Sequence, residues 1–271
     1  SKSFITVLSL MVKCILYPGT KIIIASKTKE QAMNLVSEKI PELIQLSTTG
    51  MIEREIDGTI RTSMNSVDPN VVFLNGSWIK VVPATQNARS KRANLLILDE
   101  FRMIDPQIYK NVLRRFLAVS RQPRYLKKDE YKNNKEYMER NQEIFLTSPY
   151  YKFNWAYNRY SVFVKAMLQG KKYFVCGLPY QFAIKEGLTN EEQLMDELAE
   201  DDIDEIGWLM EMECLFFGES EKAYFKTEEL KEIEKIPYPI YRKELQDKIK
   251  NKDIISKKQA NEIRVLSCDI A

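Results

Sequence analysis

The sequence predicts an α/β fold in which helices flank a largely parallel sheet. Three short aliphatic runs indicate strands, at residues 21–25, 95–98 and 143–146. None of these runs alternates apolar with polar residues over its aliphatic part, which is typical of strands buried on both faces. Segments with helical spacing of apolar residues lie between the runs, and a strand–helix–strand order favours a parallel sheet.

The other elements follow from periodicity and turn residues. Asp57-Gly58 separates two short alternating segments within residues 51–62, and Asn75-Gly76 stands between two apolar runs. Both indicate hairpins, because these dipeptides favour tight turns. A further short strand is predicted at residues 173–176. The predicted helices span residues 5–16, 29–46, 106–118 and 155–169, and residues 191–206 are predicted to form one or two acidic helices.

Composition limits the classes of function. The 271 residues suffice for one large domain with a small appendage. A net charge of +3 is too small to indicate nucleic-acid binding by itself. The chain has no histidine, which excludes histidine-based triads and most zinc hydrolase sites. Its four cysteines form no Cys-x-x-Cys pair and predict reduced thiols. Catalysis would have to use carboxylates, lysine, hydroxyls and metal ions.

Two adjacent carboxylates, Asp99 and Glu100, end the aliphatic run at residues 95–98. Open α/β sheets place their ligands at the carboxyl ends of strands. In nucleoside triphosphatases the first such carboxylate holds Mg²⁺ and the second orients the attacking water. The pattern alone is equally compatible with a strand that ends in Asp-Glu before a helix.

Lys2 and Ser3 stand directly before the first predicted helix. They match the end of a phosphate-binding loop, G-x-x-x-x-G-K-[ST], whose lysine reaches the phosphates and whose hydroxyl ligates Mg²⁺. Ser1 occupies the place of the second glycine. Taken alone, this tripeptide is also compatible with an unstructured terminus.

Thr147 and Ser148 follow the third aliphatic run. Polar residues at this point can sense a bound γ-phosphate and couple hydrolysis to motion. A plain turn before Pro149 is the alternative.

Residues 114–140 are rich in basic residues. They predict either a solvated surface or a set of contacts to nucleic-acid phosphates. The candidate contacts are Arg114, Arg115, Arg121 and Arg124.

In this order, the motifs resemble the ATPase domain of the large terminase subunit of tailed bacteriophages, the motor that packages DNA into capsids. The resemblance also includes the Asn75-Gly76-Ser77 segment, residues 211–216 at the end of the ATPase domain, and residues 265–269 as a nuclease strand. It implies a P-loop NTPase fold of the ASCE type. The implied domains are an ATPase at residues 1–225, a charged linker at 226–262, and the start of an RNase H-like nuclease at 263–271.

The resemblance assigns roles to individual residues. Lys2 and Ser3 would bind the phosphates and Mg²⁺ of ATP, Asp99 would be the Walker B magnesium residue, and Glu100 would activate water. The other roles fall on Thr147 and Ser148 for coupling, Arg89 rather than Arg92 as an arginine finger, and Asp269 as a nuclease metal ligand.

The implied function is ATP-driven translocation of double-stranded DNA by a homo-oligomeric ring. The implied partners are the small terminase subunit and the portal protein, with no membrane, in the host bacterial cytoplasm and transiently on the procapsid portal. The glycine-rich part of the phosphate loop and most of the nuclease do not occur in the sequence. We therefore expect weak nucleotide binding and no DNA cleavage from this polypeptide. The alternatives are a superfamily 2-type helicase and a non-catalytic relic that binds nucleotide or DNA.

Overall fold

A five-stranded sheet forms the centre of the computed structural model, which describes residues 2–132, 134, 136–200 and 203–218. The strands lie in the order β2-β3-β1-β4-β5. All neighbouring pairs are parallel except β2 and β3, which are antiparallel. The predicted mainly parallel α/β fold is therefore confirmed. The strands are β1 (Lys21–Ser26), β2 (Val71–Val72), β3 (Trp78–Pro83), β4 (Leu95–Leu98) and β5 (Gln142–Phe145).

Helices flank this sheet and continue along the chain after it. Four short 3-10 helices span Gln86–Ala88, Phe101–Met103, Leu113–Ala118 and Arg124–Lys127. The α-helices are α1 (Lys2–Leu16), α2 (Lys29–Ser37), α3 (Lys39–Leu46), α4 (Met51–Arg54), α5 (Pro106–Asn111), α6 (Asp129–Lys132), α7 (Trp155–Leu168), α8 (Tyr180–Lys185), α9 (Glu191–Leu198) and α10 (Glu205–Glu211). Within the described ranges, every helix is too short or too polar to span a bilayer.

The central strands β1 and β4 are buried on both faces, which explains why their sequences do not alternate. In β1, Ile22 and Ile24 join a core formed with α1, α2 and α3. Ile23 and Ala25 join the opposite core, which includes Phe101 and residues of α5. Each buried Ile side chain contributes about 1.5–3 kcal/mol. The two cores hold the carboxyl ends of β1 and β4 in a fixed relation.

Two predicted helices are each divided in the structure. The helix predicted at 29–46 breaks between Ser37 and Lys39. Pro41 explains this break, because its ring would clash with the Ser37 carbonyl in a continuous helix, whereas proline is tolerated in the first turn of α3. The helix predicted at 106–118 becomes α5 and a 3-10 helix.

Three strand predictions need correction. The predicted hairpin at 51–62 is wrong, because its first four residues form α4 (Met51–Arg54) and Ile56 instead bridges Phe73. Residues 173–176 form no strand, and Phe174 is 81% exposed, because this apolar run has no partner strand among the described residues. β5 was expected to be fully buried, but its side chains are half-buried or exposed, since β4 is its only partner strand among the described residues.

The Asn75-Gly76 turn is confirmed. It joins β2 to β3, and Gly76 has a φ of 80° that favours glycine. The Phe73 N–H donates to the Ser77 carbonyl at 2.9 Å. The Asn75 side chain donates to two carbonyls at the end of α1, Cys14 and Ile15, and so fixes α1 against the hairpin.

The packing of α1 predicts the reactivity of Cys14. Burial raises the pKa of the Cys14 thiol to about 12, with Lys13 opposing the shift. Because the thiolate is the reactive species, we expect Cys14 to resist iodoacetamide at pH 8 while the exposed Cys176 reacts. Peptide mass spectrometry would measure this difference, and it should vanish in denaturant. Equal labelling of both thiols in the native protein would contradict the packing of α1.

Candidate nucleotide-binding site

The carboxyl ends of β4 and β5 lie side by side at one edge of the sheet. Main-chain hydrogen bonds extend their pairing beyond the strands. The Leu146 N–H donates to the Leu98 carbonyl at 2.9 Å, and the Phe101 N–H donates to the Leu146 carbonyl at 3.1 Å. This pairing brings Glu100 next to Thr147, 47 positions later in the chain.

Glu100 has a left-handed backbone conformation, with φ 44° and ψ 50°. Such a conformation in a residue other than glycine costs on the order of 1 kcal/mol and is concentrated at functional sites. The next residue explains how it is maintained, because the Phe101 ring packs 5.1 Å from both Phe145 and Trp155. This aromatic anchor fixes the backbone that carries the Glu100 carboxylate.

Four predicted site residues come together at this edge, and we call them the edge cluster: Lys2, Glu100, Thr147 and Ser148. The Lys2 ammonium donates to Glu100 Oε1 and to Ser148 Oγ, both at 3.1 Å. Thr147 Oγ1 donates to Glu100 Oε2 at 3.4 Å. Residues from three distant parts of the sequence thus form one hydrogen-bonded group.

Asp99 lies beside the edge cluster as a half-buried carboxylate. Burial and then the neighbouring charge of Glu100 raise the pKa of Asp99, against the attraction of Lys2. A carboxylate destabilised in this way suits a divalent cation, and Mg²⁺ prefers oxygen ligands. Ser3 lies in the first turn of α1, but no hydrogen bond joins it to Asp99 within the described residues. The donors fit Mg²⁺, although no three carboxylates or thiols of the described part of the chain form a metal cage.

Arg102 connects the edge cluster to α10, a link that the sequence did not reveal. Its Nε lies 3.2 Å from Glu100 Oε2, outside hydrogen-bond geometry, so this contact is an ion pair. Its Nη2 lies 2.9 Å from Glu211 Oε1, and its Nη1 donates to the Pro149 carbonyl at 3.2 Å. The guanidinium carbon also lies 5.2 Å from the centre of the Tyr150 ring. Arg102 therefore holds Glu100 and α10 together.

Glu211 is the acidic partner of this link. Burial favours its neutral form, but hydrogen bonds from Ser148 and Arg102 outweigh that effect and lower the pKa of Glu211. The resemblance drew attention to residues 211–216 without giving Glu211 a contact. One feature of the sequence indicated that Arg102 belongs to the site, namely that it follows Glu100 by two residues.

The remaining predicted residues lie apart from the edge cluster. Arg89 is exposed and bonds to Gln86 Oε1 at 3.2 Å, and among the described residues it contacts neither Lys2 nor Glu100. Arg92 is likewise exposed, and donates to the Lys91 carbonyl. Asp269, together with the predicted linker and nuclease strand, lies outside the described residues.

Arg121 was one candidate for contact with nucleic-acid phosphates, and the structure places it inside the fold instead. Its side chain is buried, forms a bidentate ion pair with Glu139, and donates a hydrogen bond to the Pro18 carbonyl at 2.9 Å. Its guanidinium also lies over the Tyr17 ring. Arg121 therefore stabilises the fold. Arg114 and Arg115 are exposed.

A largely parallel sheet with its polar cluster at the carboxyl edge defines the chain as an open α/β protein with a candidate ligand site at that edge. The fold is similar to that of the large terminase from a thermophilic bacteriophage. Two crystal forms of that terminase align with TM-scores of 0.51 and 0.50 at 10% and 9% identity. A third structure of the same terminase, in complex with ADP, aligns with a TM-score of 0.48 at 10% identity.

Each alignment covers 80% of this chain, and the chain spans less than half of that terminase, 44% or 45% of its length. Neither a protein-family model nor a curated protein matches the sequence. The likeness establishes the fold.

Proposed function

We propose that this chain is the ATPase part of a viral DNA-packaging motor and that ATP is hydrolysed at the edge cluster. The convergence of Lys2, Glu100, Thr147 and Ser148 is the observation that carries this proposal. The terminase-like fold supports it. A lysine at a helix start, facing carboxylates at a strand end, provides the charges that phosphoryl transfer requires.

The residues divide the chemistry between them. The Lys2 ammonium and the free N–H groups at the start of α1 would bind the phosphates. Ser3 and Asp99 would hold Mg²⁺, which neutralises charge on phosphate oxygens when bound. Glu100 would orient a water molecule and accept its proton as the new bond to the γ-phosphorus forms and the bond to the β–γ bridging oxygen breaks. Arg89, exposed on its loop, would act on the ATP of a neighbouring subunit.

Coupling to motion would begin at Thr147 and Ser148. These hydroxyls contact Glu100 and Lys2, the two groups whose partners change when a triphosphate binds and is cleaved. Glu100 is in turn joined to Glu211 in α10 through the guanidinium of Arg102. A rearrangement at the phosphate would therefore reach α10 through side chains already in contact.

The larger assembly is part of the same proposal. The motor would be a ring on the portal protein, with the small terminase subunit as a partner, in the host cytoplasm and transiently on the procapsid. It would contact double-stranded DNA through backbone phosphates, so binding would weaken with salt. Residues 263–271 would begin the nuclease, with Asp269 as its metal ligand, and DNA cleavage would belong to the full-length protein.

Lys2→Ala tests the phosphate contact. Losing a charge-assisted contact of about 1.5–3 kcal/mol should weaken ATP binding about tenfold to a hundredfold. Isothermal titration of the native-length protein with an ATP analogue measures this, with the exposed Lys171→Ala as the matched control. Equal affinity in Lys2→Ala and the native protein would contradict the proposal.

A helicase assay tests the alternative function. Strand unwinding in that assay would favour a helicase instead.

A further inference from the structure

A second cluster of positive charge lies along β3, apart from the edge cluster. Lys29, Lys80 and Lys91 line a surface pocket of about 200 Å³, together with Ser66 and Thr85. We call this the lysine pocket. All three lysines are half-buried, whereas lysine side chains are mostly exposed. The pocket lies along β3, whereas the edge cluster lies at the ends of β4 and β5, and β1 separates β3 from β4 in the sheet.

Main-chain carbonyls fix two of the three ammonium groups in place. Lys29 Nζ donates to the Ser66 carbonyl at 3.1 Å and also to the Met64 carbonyl. Lys80 Nζ donates to the Val67 carbonyl. The Lys91 side chain lies beside Lys80 and makes no bond to the segment at 64–67 in the described structure. The fold therefore holds two of the three charges of the pocket in place before any ligand binds.

The positive charge in this pocket is not neutralised by the described part of the chain. None of the three lysines forms an ion pair there. Asp68 is the carboxylate that acts on Lys80, and it is already paired with Arg61 at 2.8 Å. Burial, and then the charge of Lys91, lower the pKa of Lys80. Like charges held together in a half-buried pocket would be relieved by an anion.

We propose that the lysine pocket binds phosphate groups as a second anion site. Lysine ammoniums bind phosphate as compact point charges, and three of them around one pocket can match several oxygens of a tetrahedral anion. The phosphate can belong to a small molecule, such as pyrophosphate, or to a nucleic-acid backbone, and the same contacts serve both. The proposal does not depend on ATP hydrolysis at the edge cluster.

Inorganic pyrophosphate is the first probe, measured by isothermal titration on the full chain. All variants carry Lys2→Ala, which removes the lysine of the edge cluster. Lys91→Gln is the decisive variant, because it removes charge without touching the bonds to the 64–67 segment. We expect about a tenfold loss of affinity, the cost of one charge-assisted bond. Lys110→Gln, at an exposed lysine, is the matched control and should bind as the parent does.

A duplex oligonucleotide is the second probe and identifies the source of the phosphate. If the pocket holds backbone phosphate, the affinity of Lys91→Gln for DNA should depend less steeply on salt. The slope of log affinity against log salt concentration should become smaller in magnitude by about 0.9 per lost contact. A loss with pyrophosphate alone assigns the pocket to small phosphates, and a loss with DNA assigns it to the backbone. If Lys91→Gln matches Lys110→Gln with both probes, the lysine pocket binds no phosphate and the proposal fails.

Discussion

Replacing Glu100 with glutamine is expected to stop ATP turnover while leaving ATP binding intact. Glutamine has the size of glutamate but cannot accept a proton from water. General base catalysis contributes about 10²–10⁴ in rate, and we expect kcat to fall by that factor. Lys2 loses its ion pair with Glu100 in this variant, so the ammonium becomes freer to contact phosphate. ATP affinity should therefore stay the same or rise.

The measurement is DNA-stimulated ATP hydrolysis by the native-length protein, beside direct titration with ATP. Glu53→Gln is the matched control, because Glu53 is exposed and its side chain forms no ion pair among the described residues. Full turnover in Glu100→Gln would make Glu100 a structural residue and would contradict its assignment as the general base. An absence of turnover in the native protein itself would favour the non-catalytic relic. Loss of ATP binding together with turnover would instead indicate that the site has collapsed.

Local sequence patterns predicted the central sheet because burial on both faces leaves a clear signature. The run at 95–98 has four aliphatic residues in succession, and each is fully buried in β4. The hairpin at Asn75-Gly76 was also predictable, since the turn demands a residue that accepts positive φ. Both features depend on residues close together in the chain.

Where neighbours distant in sequence decide the structure, the predictions failed. Residues 173–176 are apolar enough for a strand but find no partner strand in the described structure. Ile56 pairs with Phe73 rather than within its own predicted hairpin. Arg121 looked like one of several surface arginines, and only the fold brings Glu139 and Tyr17 to it.

At the candidate site, too, features that depend on neighbouring residues were predictable, and features that depend on distant residues were not. Asp99-Glu100 and Thr147-Ser148 could be identified because polar residues at strand ends are a local signal. The left-handed backbone of Glu100 has no such signal, because it follows from the packing of Phe101 against Phe145 and Trp155. The bridge from Arg102 to Glu211 spans more than a hundred positions, and no spacing rule predicts it.

Because Arg102 forms this bridge, we expect Arg102→Ala to lower both the stability of the protein and its rate of ATP hydrolysis. The variant leaves Glu211 and Glu100 without the guanidinium between them. Breaking a fully buried ion pair costs about 3–5 kcal/mol, but Glu211 is 48% exposed, so we expect about 1–3 kcal/mol of stability to be lost. Glu100 also loses one of its three contacts, and we expect kcat to fall at least about tenfold with a smaller change in KM.

Arg102→Lys distinguishes positioning from charge. Lysine keeps the positive charge but cannot contact Glu100, Glu211 and the Pro149 carbonyl with one planar fork. We therefore expect stability to recover partly and kcat to stay low. Denaturant unfolding and steady-state hydrolysis measure the two effects separately. Full recovery of both would show that Arg102 contributes only its charge.

The pH dependence of stability provides an independent test of the same bridge. The pKa of Glu211 is lowered in the folded protein, so its ionised form contributes stability above the unfolded pKa of about 4.3. That contribution must disappear as the pH falls through the folded pKa, where Glu211 becomes protonated and loses its attraction to Arg102.

The stability difference between the native protein and Glu211→Gln should therefore be largest near pH 7 and shrink below about pH 4.3. In the Arg102→Ala background the same substitution should have a much smaller effect, because the two side chains act through one contact. A difference independent of pH would show that Glu211 is not held by Arg102, and Glu100 would then lack its connection to α10.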